Sequence, residues 1–419
     1  MAQLSEDCFA RGELVRSVED AVAAIRALLT AVDGLESVPL ERADGRVLAR
    51  DLVATMQVPP FTNSAVDGYA VRGEDVPIGA PRTFAVTGRV HAGAPTTPGS
   101  MASGDAIRVF TGAPIPEGAD TVFMQEDVQV DHEGRVLVPP GLKRGSNVRP
   151  AGEDLALGRV VLPAGRWLRP QDVAVVAALG RTEVEVRRRV RVAVLSTGDE
   201  IVEPGAARGG AQLFDSNRFM LLAMLRRLGC ETTDLGIRRD APAQIADALR
   251  AAARSHDLIL SSGGVSTGEG DHVKAAVESV GTLVFWRIAI KPGRPLAMGV
   301  IEGTPLLGLP GNPVASFVTF AFVARPTILG LAGAHFTRAP VVPVRAAFSY
   351  RKKPLRREYV RVHVRGAADG ISEATRFPRE GAGLLSSLTD TDGLVELPEA
   401  VTHVEPGQWL NFLTYASLL

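Results

Sequence analysis

The stretch Asp257–Asp271, DLILSSGGVSTGEGD, narrows the fold more than any other part of the chain. Leu258, Ile259 and Leu260 form a short apolar run that stops at a loop of serines and glycines, and HVKAAVESVG beyond it reads as a helix. A buried strand, a glycine loop and a helix start make an anion site in α/β proteins. The helix N-terminus presents unpaired N–H groups, and glycine lets the backbone approach a phosphate closely. Glu269 and Asp271 share this loop. Carboxylates repel a phosphate unless a divalent cation sits between them, so the stretch points to a phosphate ester bound through Mg²⁺. No lysine follows a glycine as in Walker A, and the dinucleotide pattern G-x-G-x-x-G is absent from the loop. Gly264-Val265-Ser266-Thr267-Gly268 does fit the nucleophile elbow G-x-S-x-G. That motif sets its serine on a tight strand-to-helix turn, whereas the helix here is expected to start near Asp271, about five residues later. A serine hydrolase acting through Ser266 and a purely structural glycine loop are the alternatives at this point.

Around this stretch, from Arg191 to Leu331, strands alternate with helices. VRVAVLSTGDE runs from strand into loop, Asp215-Ser216-Asn217 caps a helix, and ETTDLGIRRD, LVFWRIAI, PLAMGV and TPLLGLP read as further strands. Such alternation predicts a parallel, doubly wound sheet, whose ligands sit beyond the carboxyl ends of the strands. Four strand ends carry candidate chemistry: Ser196, Thr197, Gly198 and Glu200 after one, Asp240 after the next, Ser262, Gly263 and Gly264 in the central loop, and Pro310, Gly311, Asn312 and Pro313 after the last. Each carboxylate alone is more often a helix cap or a solvated charge. Convergence of Glu200, Asp240, Glu269 and Asp271 on one edge favours a site. Lys291-Pro292-Gly293-Arg294-Pro295, with Arg287, reads either as a solvated basic turn or as the cationic side of an anion site.

The flanks read as a helical frame and two β-rich segments. Ser17 with Asp20 forms a capping pattern ahead of Val22, Ile25, Leu28 and Leu29 at helical spacing, with Gly34 closing the helix. Val47, Leu48 and Leu52 predict a second helix over 43–54. From Val58 to about Pro140, short apolar runs separated by Gly, Pro and Asp predict a small inserted β-domain. On its loops Asp67 and Thr111 read, by residue type alone, as ordinary turn residues. Pro170 opens a helix that Gly180 ends. After Gly333, YVRVHVR alternates strictly, and Asp392-Gly393 reads as a hairpin turn in a small barrel or sandwich. His363 and His403 lack metal-ligand spacing. The expected units are a discontinuous helical frame (14–58 and 145–186), the inserted β-domain (59–144), an α/β domain (187–332) and a C-terminal β-barrel (333–419).

The 46 basic and 47 acidic side chains leave no bulk charge to attract nucleic acid. Two cysteines, Cys8 and Cys230, form no disulfide framework and fit a reducing cytoplasm. The acidic N-terminus lacks the apolar core of a signal peptide. The run Val314–Ala324 falls short of the about 20 residues that span a bilayer.

SSGGVSTGEGDHVK, LSTGDE, KPGRP, LPGNPVAS, SAVDGYAVR, VFTGAP and RPAGEDL together resemble the MoeA family of molybdopterin molybdenumtransferases, which includes the E-domain of gephyrin. The likeness runs from about Ser17 to the C-terminus. It implies an elongated homodimer with a MogA/MoaB-like α/β unit, and a Mg²⁺-assisted reaction. That reaction cleaves adenylylated molybdopterin, inserts molybdate at the dithiolene and releases AMP. It also implies a cleft where the α/β unit of one chain faces the small β-domain of the other, and leaves room for a MogA-like adenylyltransferase as partner. By motif, Asp67, Thr111, Glu200, Asp240 and Asp271 match catalytic positions, the last three as metal ligands. Asp154, Ser196, Thr197, Gly198, Ser262, Gly263, Gly264, Ser266, Lys291, Arg294, Pro310, Gly311, Asn312 and Pro313 match substrate contacts. Loop N–H groups of Gly263 and Gly264 would then hold phosphate oxygens, and Lys291 and Arg294 would attract molybdate. Thr62 and Val66 replace an acid and a methionine frequent in the family, and Arg294 stands where lysine is common. A non-catalytic dimeric scaffold of the same fold and a tungstate-inserting relative are the competing readings.

Overall fold

The computed structural model describes residues 16–95, 101–265, 272–335 and 338–419, the side chain of Trp286 excepted. Ser17 Oγ accepts a hydrogen bond from the Asp20 N–H at 3.0 Å and opens α1 (Val18–Leu28), as its capping pattern predicts. Ala21 and Ile25 bury its inner face. The helix stops earlier than expected: Leu29 is already extended, so Gly34 lies in the loop beyond, ahead of β1 (Leu35–Pro39). The helix predicted over 43–54 does not form. After one 3₁₀ turn at Leu40–Arg42 the chain runs extended, with Val47 bridged to Trp167 and Leu48 to Val186. Val47 enters one core and Leu48 another, as neighbours on an extended chain do, which a single helical stripe cannot achieve.

The inserted β-domain is a six-stranded sheet of β2 (Gly68–Val71), β3 (Arg82–Val90), β4 (Asp105–Val109), β5 (Thr121–Met124), β6 (Gln129–Val130) and β7 (Val136–Val138), in the order β5-β2-β4-β3-β7-β6. The chain enters and leaves it side by side: Asn63–Ser64 pairs with Val148–Arg149, and Val58 bridges Leu155. Back in the frame, α2 (Pro170–Ala178) starts on its proline, and β8 (Glu183–Arg187) closes the unit by pairing with β1, Val38 opposite Val184.

The α/β unit follows with β9 (Arg191–Thr197), α3 (Asn217–Arg227), β10 (Glu231–Arg238), α4 (Pro242–Ala253), β11 (Leu258–Ser262), α5 (His272–Val280), β12 (Gly281–Arg287), β13 (Ile290–Lys291), β14 (Pro295–Ile301) and β15 (Thr304–Leu309). Its sheet has the order β10-β9-β11-β15-β14-β12. The four strands β10, β9, β11 and β15 are parallel, as the alternation predicts, while β14 runs antiparallel to both its neighbours, β15 and β12. The reversal lies at Glu302-Gly303, whose φ of +48° and +87° make the two-residue turn that joins β14 to β15 as a hairpin. All five residues of the central strand β11 are buried. After β15 one helical run covers Pro313–Leu331 as α6 (Pro313–Thr319), a π turn and α7 (Arg325–Leu331). Pro326 has no N–H to offer, and the widened turn before it carries the helix through. The run is therefore 19 residues, long and apolar enough to cross a membrane by those criteria alone. It is 83% buried inside the protein and serves as a core helix.

The C-terminal unit contains β16 (Val342–Ala346), β17 (Tyr350–Arg351), β18 (Arg357–Gly366), β19 (Ser372–Arg376), α8 (Ser386–Asp390), β20 (Gly393–Leu397) and β21 (Trp409–Thr414). The pairings β18-β19-β16-β21-β20 return to β18, so five strands close into a barrel. The expected hairpin at Asp392-Gly393 is instead the exit from α8 into β20, because 386–390 is helical. The two-residue strand β13 of the α/β unit pairs in parallel with β18, Lys291 opposite Glu358. The fold class is as expected: a MogA/MoaB-like α/β unit, a helical frame with an inserted β-domain, and a terminal barrel.

Candidate active site

The carboxyl ends of β9, β11 and β15 open into a cavity of about 1260 Å³, and the barrel supplies its opposite wall. On the α/β side, Ser196, Thr197, Glu200, Ser262, Gly263, Gly264, Pro310, Gly311, Asn312 and Pro313 line it, and Lys291 and Arg294 lie on the segment that joins the walls. The sheet thus brings twelve of the predicted residues to one hollow, by the rule that such ligands sit beyond the strand ends.

The central bend needs its two glycines. Gly263 and Gly264 have φ of +88° and +65°. A Cβ on the first would lie 2.6 Å from Thr197 O, and on the second 2.4 Å from Val273 Cγ2 and 2.6 Å from Thr197 Oγ1. The Gly263 N–H is committed to Leu309 O at 3.1 Å, which corrects the expectation that it faces a phosphate. The Gly264 N–H has no backbone partner among the described residues.

Asn217, at the start of α3, ties these loops together. Its Nδ2 donates to Ser262 Oγ at 2.9 Å and to Gly311 O at 2.7 Å. Ser196 Oγ, Thr197 Oγ1 and Asn217 Oδ1 are buried and have no hydrogen-bond partner among the described residues. Unpaired buried oxygens around one hollow are a donor set for a polar ligand.

The acids divide. Glu200 lines the cavity. Asp240 does not, but stands beside the preceding residue: the Asp199 N–H donates to Asp240 Oδ2 and the Asp240 N–H to Asp199 Oδ1, each at 3.4 Å. Gly198, whose N–H donates to Arg238 O at 3.3 Å, is also absent from the lining. Asp271 and Ser266 lie outside the described residues. Among the described residues no group of three Asp, Glu, His or Cys side chains is close enough to hold a metal ion.

Asp67 and Thr111 meet each other but not the cavity. Asp67 Oδ1 accepts from the Thr111 N–H and from Thr111 Oγ1, both at 2.7 Å, and these bonds hold its carboxyl below the ordinary range. Asp154 is exposed on the loop beyond the paired strands. None of the described residues in 59–154 lines the cavity of this chain.

The barrel wall was not anticipated. Tyr350, Arg356, Glu358, Arg361, Arg376 and Glu380 all line the hollow. Arg361 Nη1 donates to Gly381 O at 3.0 Å and to Ser387 Oγ at 2.6 Å, and burial lowers its pKa from the ordinary arginine value. Burial also works against charge on Lys291, yet the Tyr350 hydroxyl and Glu358 carboxylate outweigh it and raise the lysine's pKa. The available signals were the basic run RKKPLRRE and the alternation of YVRVHVR. Asn217 was visible only as part of a helix cap. The whole is a cleft with oxygen and N–H groups on one wall and arginines interleaved with Glu358 and Glu380 on the other, fit for a phosphate ester and a second anion.

Known proteins share this arrangement of units. Three family models match in chain order: the MoeA N-terminal region (domain I and II) over residues 16–180, a probable molybdopterin binding domain over 193–330, and the MoeA C-terminal region (domain IV) over 343–415. The molybdopterin molybdenumtransferase of Haemophilus influenzae is 38% identical, over 92% of this chain and 95% of its own. That of a Nostoc species is 35% identical over 89% and 87%. The crystal structure of the molybdopterin biosynthesis MoeA protein from Pyrococcus horikoshii OT3 matches with a TM-score of 0.81 at 29% identity, covering 96% of this chain and all of that one. Frame, insert, sheet and barrel therefore carry one family's pattern from residue 16 to residue 415, and the chain belongs to the MoeA family.

Proposed function

We propose that this chain is a molybdopterin molybdenumtransferase that inserts molybdate into adenylylated molybdopterin and releases AMP during molybdenum cofactor biosynthesis. The observation that carries the reading is the make-up of the cleft: buried oxygens and the Gly264 N–H at the strand ends, with Lys291 and Arg294 on the segment that joins the walls. Ser196 and Thr197 hydroxyls, with the Gly264 N–H, bind the oxygens of the pyrophosphate. Lys291 and Arg294 draw in molybdate, a tetrahedral dianion, and hold it beside the dithiolene. Pro310, Gly311, Asn312 and Pro313 shape the floor beneath the nucleotide.

Glu200, Asp240 and Asp271 would hold Mg²⁺. The donors fit a hard cation: all are carboxylate oxygens, and the orphaned Ser196 and Thr197 hydroxyls, which line the same cavity as Glu200, are oxygen donors too. When bound, the ion withdraws charge from the phosphorus under attack and eases departure of AMP. Asp67, Thr111 and Asp154 reach the cleft from a second copy of the chain in a homodimer. That reading is supported by their absence from this chain's own cavity despite their match to the family's motifs. A cytoplasmic setting accords with two cysteines, one of them the buried Cys230. A MogA-like adenylyltransferase is the partner that would deliver the substrate.

Incubation with adenylylated molybdopterin, Mg²⁺ and molybdate is expected to yield AMP and metal-loaded cofactor. Asp271→Asn or Glu200→Gln should cut AMP release by about a hundredfold or more with the fold intact. Unchanged turnover in both variants refutes the metal role, and failure of the unaltered chain to release AMP refutes the activity.

A further inference from the structure

Resting on the reading that Lys291 binds the oxyanion, we propose that Tyr350 and Glu358 of the barrel are positioning residues that aim the Lys291 ammonium into the cleft. Lys291 belongs to the α/β unit, but its short strand β13 is paired to β18, which sets it directly opposite Glu358. Lys291 Nζ donates to the Tyr350 hydroxyl at 2.9 Å, and that hydroxyl donates to Glu358 Oε2 at 2.7 Å. Nζ also lies 3.3 Å from Glu358 Oε2. Arg356 Nε donates to the other oxygen, Glu358 Oε1, at 2.6 Å.

The direction of this chain of bonds is dictated. Glu358 has a side chain only 1% exposed and, as a carboxylate, can only accept. Tyr350 must therefore spend its one proton on Glu358 and offer a lone pair to the lysine. An ammonium has three N–H groups. Tyr350 and Glu358 engage it from the barrel side, which leaves donor capacity for the cleft, where the Lys291 side chain is 40% exposed. A free lysine would sample many rotamers, and ordering it beforehand lowers the cost of binding an anion. Other charged groups facing this network include Glu380, 4.0 Å from Nζ, Arg376, whose guanidinium lies 5.5 Å from the centre of the Tyr350 ring, and Lys352 and Arg361, which lie within electrostatic reach of Glu358 and Tyr350 respectively. A mere staple between units would not need a buried carboxylate such as Glu358 at the cavity wall, since apolar packing of similar volume holds at least as well.

Two measurements test this: equilibrium dialysis against molybdate alone, and KM and kcat from AMP release at saturating adenylylated molybdopterin. Tyr350→Phe keeps the ring and removes the hydroxyl. It should raise the Kd and the KM for molybdate roughly three- to tenfold with kcat changed by less than about twofold. Glu358→Gln should shift both constants the same way and further. Thermal unfolding shows whether that variant still folds, and Tyr350→Phe decides if it does not. Lys291→Met should weaken molybdate binding, and Tyr350→Phe added to it should weaken it no more. If Lys291→Met leaves molybdate binding unchanged, the oxyanion reading itself fails. If Lys291→Met weakens binding while Tyr350→Phe does not, or if the two effects add, only the positioning role is overturned. A fall in kcat at unchanged KM in Tyr350→Phe overturns it as well.

Discussion

At the scale of the residue, the bend after β11 has no room for a methyl group. The second glycine combines a left-handed backbone with contacts at 2.4 and 2.6 Å from an added Cβ. Gly264→Ala should therefore cost about 2–3 kcal/mol, the sum of strain and overpacking, and weaken nucleotide binding as the loop shifts. Urea unfolding reads this as a lower midpoint at unchanged slope. A neutral result would mean that Val273 and Thr197 yield without penalty. This bend was legible beforehand, since three apolar residues running into Ser-Ser-Gly-Gly have few other uses. Asn217 was not, because an asparagine at a helix start is explained well enough by capping. Only the fold reveals that its amide reaches two loops distant in sequence, at Ser262 and Gly311.

At the scale of the element, β11 is held at its far end by Asp257. The carboxylate accepts from Arg188 Nη1 at 2.7 Å, from Arg188 Nη2 at 2.9 Å, and from the Arg191 N–H at 2.8 Å. Burial alone would raise its pKa, but the hydrogen bonds from Arg188 and the Arg191 N–H bring it below the ordinary value of 3.8. A depressed carboxyl contributes stability that is complete above its unfolded-state pKa and is lost as pH falls through the lower folded-state value. Asp257→Asn should thus cost about 2–4 kcal/mol at pH 7, by removing the carboxylate paired with the partly buried Arg188 and leaving Glu231 and Asp33 as its remaining opposite charges. The gap to the unaltered protein should narrow below pH about 4 as the native carboxylate takes up its proton. A gap independent of pH would assign the loss to packing. Elements with one strong period and a clear cap were readable from the chain, α1 and β11 among them. The extended run at Val47-Leu48 and the helix α8 were not. In the first, two neighbouring apolar side chains serve different cores, and in the second, five residues are too few to show a period.

At the scale of the whole molecule, most of the described site residues fall into two sets. Twelve line the cavity between sheet and barrel, with Gly198 and Asp240 outside its lining, and Asp67 and Thr111 lie on the inserted β-domain. If a homodimer joins the sets across chains, mixing inactive Asp67→Asn with inactive Glu200→Gln should restore activity. Each mixed dimer would hold one intact cleft, so exchange to equilibrium should recover about a quarter of the unaltered rate, with half of all dimers mixed. No recovery after subunit exchange would place both sets in one chain's site. Sequence spacing could not show which chain supplies which acid, since proximity between copies leaves no periodic mark. The side-by-side entry and exit of the insert at Asn63–Ser64 and Val148–Arg149 has a practical corollary. Two chain ends that are hydrogen-bonded to each other can be joined by a brief linker at little entropic cost. Excision of the intervening segment would then yield a shortened protein that keeps the hollow between sheet and barrel and lacks Asp67 and Thr111; if those two complete a partner's cleft, it would capture substrate without turning it over.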